Sequence, residues 1–167
     1  MGNTFHGGGR TLSMSNGSTD VFVDVLVLAV SDLAESVWEY RFATLLTLQD
    51  QSAVGRGVVG FDLEEIDWGR SPGERAAAKG FVLRVLDLAL RRHRWDELDY
   101  EAPYAEGCLR QYREMVEAFD PADAEPRDDT FPGPDEAAMA SCVRHRVLCA
   151  PAYWDTCVFC NGAEPPH

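Results

Sequence analysis

The chain has 167 residues, 46% of them apolar, and a formal net charge of -13. That length suits one domain with a small appendage, and the acidic balance argues against general binding to nucleic acid, whose phosphates would be repelled. No apolar run reaches the roughly 18 residues of a membrane span.

Met1 to Thr19 is rich in Gly, Ser, Asn and Thr and contains Gly7-Gly8-Gly9. It lacks the basic start, apolar core and small-residue cleavage site of a secretory signal. It reads as a disordered leader over residues 1–20, with the cytoplasm as the default compartment. Val21 to Val30 is short and dense in β-branched residues, which predicts a buried central strand interrupted by Asp24. Residues 31–50 carry two patterns at once. Asp32 and Glu35 suit a capping box, with Ala34, Trp38, Phe42, Leu45 and Leu46 on one helical face. Trp38, Tyr40, Phe42, Thr44, Leu46 and Leu48 also alternate strictly, and their aromatic and β-branched content favours a second strand.

Gly55-Arg56-Gly57-Val58-Val59-Gly60 matches Gly-x-Gly-x2-Gly, but a phosphate loop needs a helix N-terminus directly behind it. The next helix start is Ser71, so a glycine-rich hairpin turn is the better reading. Val58 to Trp68 predicts a third strand ending in Asp62, Glu64, Glu65 and Asp67. Alternation would put Asp62 and Glu64 on one face, where paired carboxylates serve acid-base work or a hard cation. A solvated strand edge that discourages aggregation is the competing use.

Ser71-Pro72-Gly73-Glu74 is a strong helix start, with serine at the N-cap, proline at N1 and glutamate at N3. Ala78, Phe81, Val82, Val85, Leu86 and Ala89 then recur at three and four, and Arg91, Arg92, His93 and Arg94 close the helix, where cations suit the dipole. Trp95 to Pro103 is a polar connection. A second helix follows from about Tyr104 to Phe119, with Cys108, Leu109, Tyr112, Val116 and Phe119 on one face; Cys108 there reads as a small core residue. Residues 120–134, acidic and rich in proline, read as a flexible linker. Asp135 to Ser141 suits one helical turn, and residues 163–167 a disordered tail.

The most specific stretch is CVRHRVLCAPAYWDTCVFC. It contains Cys142-x2-His145 and Cys157-x2-Cys160, two knuckles separated by eleven residues. Each tight turn offers two soft ligands on one side, and two such halves make the tetrahedron zinc prefers. Segment 140–162 resembles zinc-ribbon and zinc-knuckle modules, a resemblance that implies metal binding and no particular activity. Four protein ligands leave no open position for water, so the predicted Zn2+ is structural. A redox pair at Cys157 and Cys160 and inert core cysteines are the alternatives, and Cys149 competes for the fourth ligand position. The zinc deaminase pattern and His-Glu-x2-His are both missing.

Charge is distributed unevenly. Residues 71–94 hold six bases against two acids, whereas residues 95–136 hold fourteen acids against three bases. Lys79 is the single lysine beside fourteen arginines, as in chains from GC-rich, bacterial-like genomes. The expected architecture is α+β: a small antiparallel sheet packed on two helices over residues 21–119, the linker 120–134 and a zinc-binding module over 135–162. The expected function is a non-enzymatic, acidic interaction or regulatory protein, immunity- or inhibitor-like, facing a protein partner with a basic surface. The alternative is a small-molecule enzyme or accessory factor using the acids at 62–67.

Overall fold

Among the described residues four α-helices carry the fold: α1 (Asn16–Leu33), α2 (Val37–Thr47), α3 (Pro72–Leu90) and α4 (Ala105–Ala118). A computed structural model describes residues 3–47, 62–98, 105–124, 131, 140–142 and 147–149. Two antiparallel hairpins complete these residues, β1 (Asn3–Gly7) with β2 (Arg10–Met14), and β3 (Ala140–Cys142) with β4 (Val147–Cys149). The chain is therefore mixed α and β, with four helices among the described residues where the sequence suggests two.

The expected strand Val21 to Val30 is the middle of α1. Ser15 caps this helix, its Oγ accepting the Ser18 N–H at 3.2 Å. Phe22, Val23 and every residue from Val25 to Val30 are buried, because α2, α3, α4 and β4 all lie against α1. A helical stretch enclosed on all sides shows no polar face, so the sequence there loses the 3.6 period and mimics a buried strand. Two hydroxyls bond back along the helix: Thr19 Oγ1 donates to Ser15 O at 2.8 Å and Ser31 Oγ to Val27 O at 2.7 Å.

Residues 37–47 are helical as well, against the expected second strand. The capping box lies at Ser36 and Glu39, one turn beyond the Asp32–Glu35 pair. The Glu39 N–H donates to Ser36 Oγ at 3.3 Å, and Glu39 Oε1 accepts the N–H groups of Ser36 and Glu35. Phe42, Ala43, Leu45 and Leu46 are buried. Thr44, placed by alternation among strand positions, donates its hydroxyl to Tyr40 O at 2.9 Å.

Residues 3–14 correct the disordered leader. Gly8 and Gly9, at φ 56° and 78°, form the tight turn between β1 and β2, the backbone signature of a two-residue hairpin. Phe5 pairs with Leu12 in register, and Phe5, Leu12 and Met14 enter the core. Gly7 packs so closely on Leu63 that any Cβ would overlap that side chain.

Helices α3 and α4 match expectation. Ser71 Oγ accepts the Glu74 N–H at 3.1 Å, and Ala78, Phe81, Val82, Val85, Leu86 and Ala89 are buried. Leu109, Tyr112, Met115 and Val116 face them from α4. Between the two helices, Arg113 Nε donates to Asp87 Oδ1 at 2.6 Å, and Lys79 Nζ donates to the carbonyls of Glu117 and Phe119, both at 2.8 Å. Lys79 thus closes the C-terminus of α4 from a neighbouring helix. Lys79→Met should cost about 1–2 kcal/mol in urea unfolding, with Lys79→Arg recovering part of it. An unchanged midpoint in the methionine variant would remove this role.

No helix among the described residues is long and apolar enough to cross a membrane. The Gly55–Gly60 turn, the Trp95–Pro103 connection beyond Leu98, and most of the linker, metal module and tail lie outside the described residues.

Candidate functional site

The acidic run 62–67 does not form the expected strand. Asp62 makes one parallel bridge to His6 of β1, Leu63–Glu65 is a 3-10 turn, and Leu63, Ile66 and Trp68 turn inward. That turn breaks the alternation that would have placed Asp62 and Glu64 on one strand face. Glu64 Oε1 accepts the Gly8 N–H of the hairpin turn at 2.9 Å. Asp67 Oδ2 accepts from Arg41 Nη2 at 3.3 Å, and its Oδ1 accepts the Gly69 N–H at 3.1 Å. These carboxylates hold β1–β2 and α2 to the segment between α2 and α3.

Beside this run lies a groove of about 190 Å³ lined by Ser36, Trp38, Glu39, Trp68, Gly69, Glu74, Ala77 and Ala78. Asp62, Glu64, Glu65 and His93 are not part of its wall. Trp38 stacks on Phe42 and Trp68, with centroids 5.7 Å and 6.0 Å apart, and its Nε1 donates to Asp67 O. Phe131 covers another side of Trp38 at 5.9 Å, with the Arg41 guanidinium 4.7 Å above the Phe131 ring. Glu39 caps α2, and Glu74 Oε2 accepts the Arg70 N–H at 3.2 Å. Arg75 donates to Gly69 O and Arg70 O at the edge. Two carboxylates are thus offset by one guanidinium and roughly half a positive charge at each helix N-terminus. The wall of the groove combines two indoles, Trp38 and Trp68, with two carboxylates engaged at helix N-termini, Glu39 and Glu74. Trp38 and Trp68 form the common floor through a contact between residues 30 apart in sequence, which local pattern does not reveal.

His93 follows α3 in a turn where Arg92 and Arg94 both adopt φ 61°, a region that non-glycine residues rarely enter. His93 Nε2 meets Asp32 Oδ2 in the last turn of α1. Arg92 pairs with Glu106 at 3.4 Å, and its guanidinium lies 5.5 Å from the Trp95 ring centroid. The basic end of α3 therefore clasps α1 and α4.

Burial pushes the Cys108 thiol up, which disfavours the thiolate a nucleophile needs. Burial also pushes the Tyr112 phenol far above its ordinary value of about 10. A folded-state pKa above the unfolded one means that the native chain holds the proton longer. Stability is then full below pH 10 and declines above it, by up to about 1.4 kcal/mol per pH unit. Urea unfolding at pH 9 and pH 11 should show this decline, and Tyr112→Phe should reduce it; equal declines in both proteins would contradict the assignment.

Of the predicted metal ligands, Cys142 is the last residue of β3, paired across the ladder with Val147. His145, Cys157 and Cys160 lie outside the described residues. Cys149 ends β4 opposite Ala140. The donor set of three cysteines and one histidine suits zinc, and Cys142 stands at the end of a strand. Among the described residues no three His, Cys, Asp or Glu side chains converge to hold a metal ion. Comparison with protein families, with characterised proteins and with solved structures returns no match.

Proposed function

We propose that this chain is a non-enzymatic interaction protein that docks through its acidic surface on a basic protein partner, in the manner of an immunity protein or inhibitor. The observation that carries the reading is the use made of the acids at 62–67. Glu64 and Asp67 are spent on holding hairpin, helix and loop together, and the groove beside them has a wall without Asp62, Glu64 or Glu65. A net charge of -13 supports a cationic partner, since complementary charge accelerates encounter and disfavours acidic competitors. A structural Zn2+ held by Cys142, His145, Cys157 and Cys160 belongs to this reading, in a reducing, cytoplasmic setting that keeps the thiols free.

The test is capture on the immobilised native chain at low salt, followed by size-exclusion chromatography of the retained complex. A discrete complex with a basic protein is expected, its affinity falling tenfold or more between about 50 and 300 mM salt as surface charges are screened. Retention of no basic protein, or a complex insensitive to salt, counts against the reading. Metal analysis by mass spectrometry should give about one zinc per chain, lost in Cys157→Ser.

A further inference from the structure

We infer that the groove at the starts of α2 and α3 is a binding site for an arginine side chain, the anchor point of a basic partner. The inference rests on the docking reading above and gives it a place on the surface. Trp38 and Glu39 come from the first turn of α2, Glu74, Ala77 and Ala78 from the first two turns of α3, and Trp68 from the segment before α3. Trp38 and Glu39 are half-buried, whereas Glu74 and Ala77 are exposed, so the groove opens to solvent. Its volume of about 190 Å³ lies below the roughly 300–1,000 Å³ of pockets that enclose a drug-sized molecule. It suits one side chain.

What the wall can offer a ligand depends on which of its polar atoms are already engaged. Both side-chain N–H donors are bonded within the chain, Trp38 Nε1 to Asp67 O and Trp68 Nε1 to Leu63 O. Glu39 Oε1 accepts the N–H groups of Glu35 and Ser36, and Glu74 Oε2 accepts that of Arg70. Among the described residues the second oxygens, Glu39 Oε2 and Glu74 Oε1, accept no hydrogen bond. The Arg75 guanidinium is bonded to the carbonyls of Gly69 and Arg70 and is not part of the wall. The groove therefore presents carboxylate oxygens and indole rings but no free side-chain N–H, which favours cationic donors and disfavours anions. Arginine meets these conditions best. Its planar fork of N–H groups can serve carboxylates from two helices while its face stacks on an indole, and its methylene stem suits Ala77 and Ala78. Val37, next to Trp38 in sequence, is 61% exposed and is the one large apolar side chain exposed among the described residues. It adds an apolar contact to a face already carrying the aromatic residues that interface centres favour.

The experiment titrates the full chain with Nα-acetylarginine amide at constant ionic strength and follows the indole N–H signals by nuclear magnetic resonance. Those of Trp38 and Trp68 should shift with a Kd of about 1–10 mM, while that of Trp95, which is not part of the wall, stays in place. Nα-acetylcitrulline amide, the uncharged isostere, should bind about tenfold more weakly, and Nα-acetylglutamate amide should not bind. Glu39→Gln and Glu74→Gln each keep an acceptor oxygen for the capping bonds. Each should weaken the arginine probe about threefold and leave thermal unfolding unchanged. Equal binding of the arginine and citrulline probes, or no indole shift at about 50 mM arginine probe, would overturn the inference. A basic partner that the Glu39→Gln/Glu74→Gln double variant holds as tightly as the wild type would also overturn it, leaving the docking reading intact. Arginine binding in the groove by a chain that retains no basic protein would uphold the site and remove the docking reading.

Discussion

Phe5→Ala is expected to destabilise the folded chain by about 3–5 kcal/mol, the range for truncating a fully buried phenylalanine. The ring is 1% exposed. It meets Phe22 edge-on with centroids 5.4 Å apart and Tyr112 at 6.0 Å, while Phe22 and Tyr112 close the triangle at 5.6 Å. Three edge-to-face contacts join β1, α1 and α4, and edge-to-face rings gain energy beyond the area they bury. Removing one ring leaves a cavity that the hairpin cannot collapse into, since Gly7 already touches Leu63 and the Gly8 N–H is held by Glu64. Ser13→Ala, on the exposed side of β2, should stay within about 0.5 kcal/mol. Matching urea midpoints for the two variants would show that the hairpin is dispensable.

Trp68 should respond in two stages. Trp68→Ala should cost about 3–5 kcal/mol, because the indole is 2% exposed and packs on Trp38 and Phe119, the latter at 5.8 Å. Trp68→Phe keeps most of the ring but removes the Nε1–H donated to Leu63 O at 2.8 Å in the 3-10 turn. Losing that bond should cost about 0.5–1.5 kcal/mol, since Leu63 O still accepts the Ile66 N–H at 3.3 Å. The alanine variant should also lose the floor of the groove, so a change in Trp38 fluorescence is expected with it. If the phenylalanine variant unfolds at the wild-type midpoint, the hydrogen bond contributes nothing and the segment 62–68 is held by packing alone.

How far the sequence could be read depended on how much of each element faces water. Helices α3 and α4 are half-solvated. Their polar positions expose the 3.6 period, and Ser71, Pro72 and Glu74 mark the start of α3 through bonds made within four residues. Cap and face were therefore written locally, as was the place of Lys79, though not its bonds to α4. The acids at 62–67 were visible as a cluster, but their work was not. Glu64 answers to Gly8 and Asp67 to Arg41, partners 56 and 26 residues away.

The remaining differences share one cause. Between Val25 and Val30 α1 is buried on every side, so no polar residue in that stretch records the helical repeat, and the choice between helix and strand lay with the neighbours that enclose it. In α2, Trp38, Phe42 and Leu46 satisfy both periods. Stacking of Trp38 on Trp68 and the bond from its Nε1 to Asp67 O come from a segment that local pattern cannot place. In residues 3–14 the glycines and hydroxyls suggested disorder, whereas Phe5, Leu12 and Met14 find a core made by α1 and α4. Local residues determine an element when its stability comes from its own caps and its own amphipathic face. Where that stability comes from burial against distant segments, the same residues are compatible with several conformations, and packing selects among them.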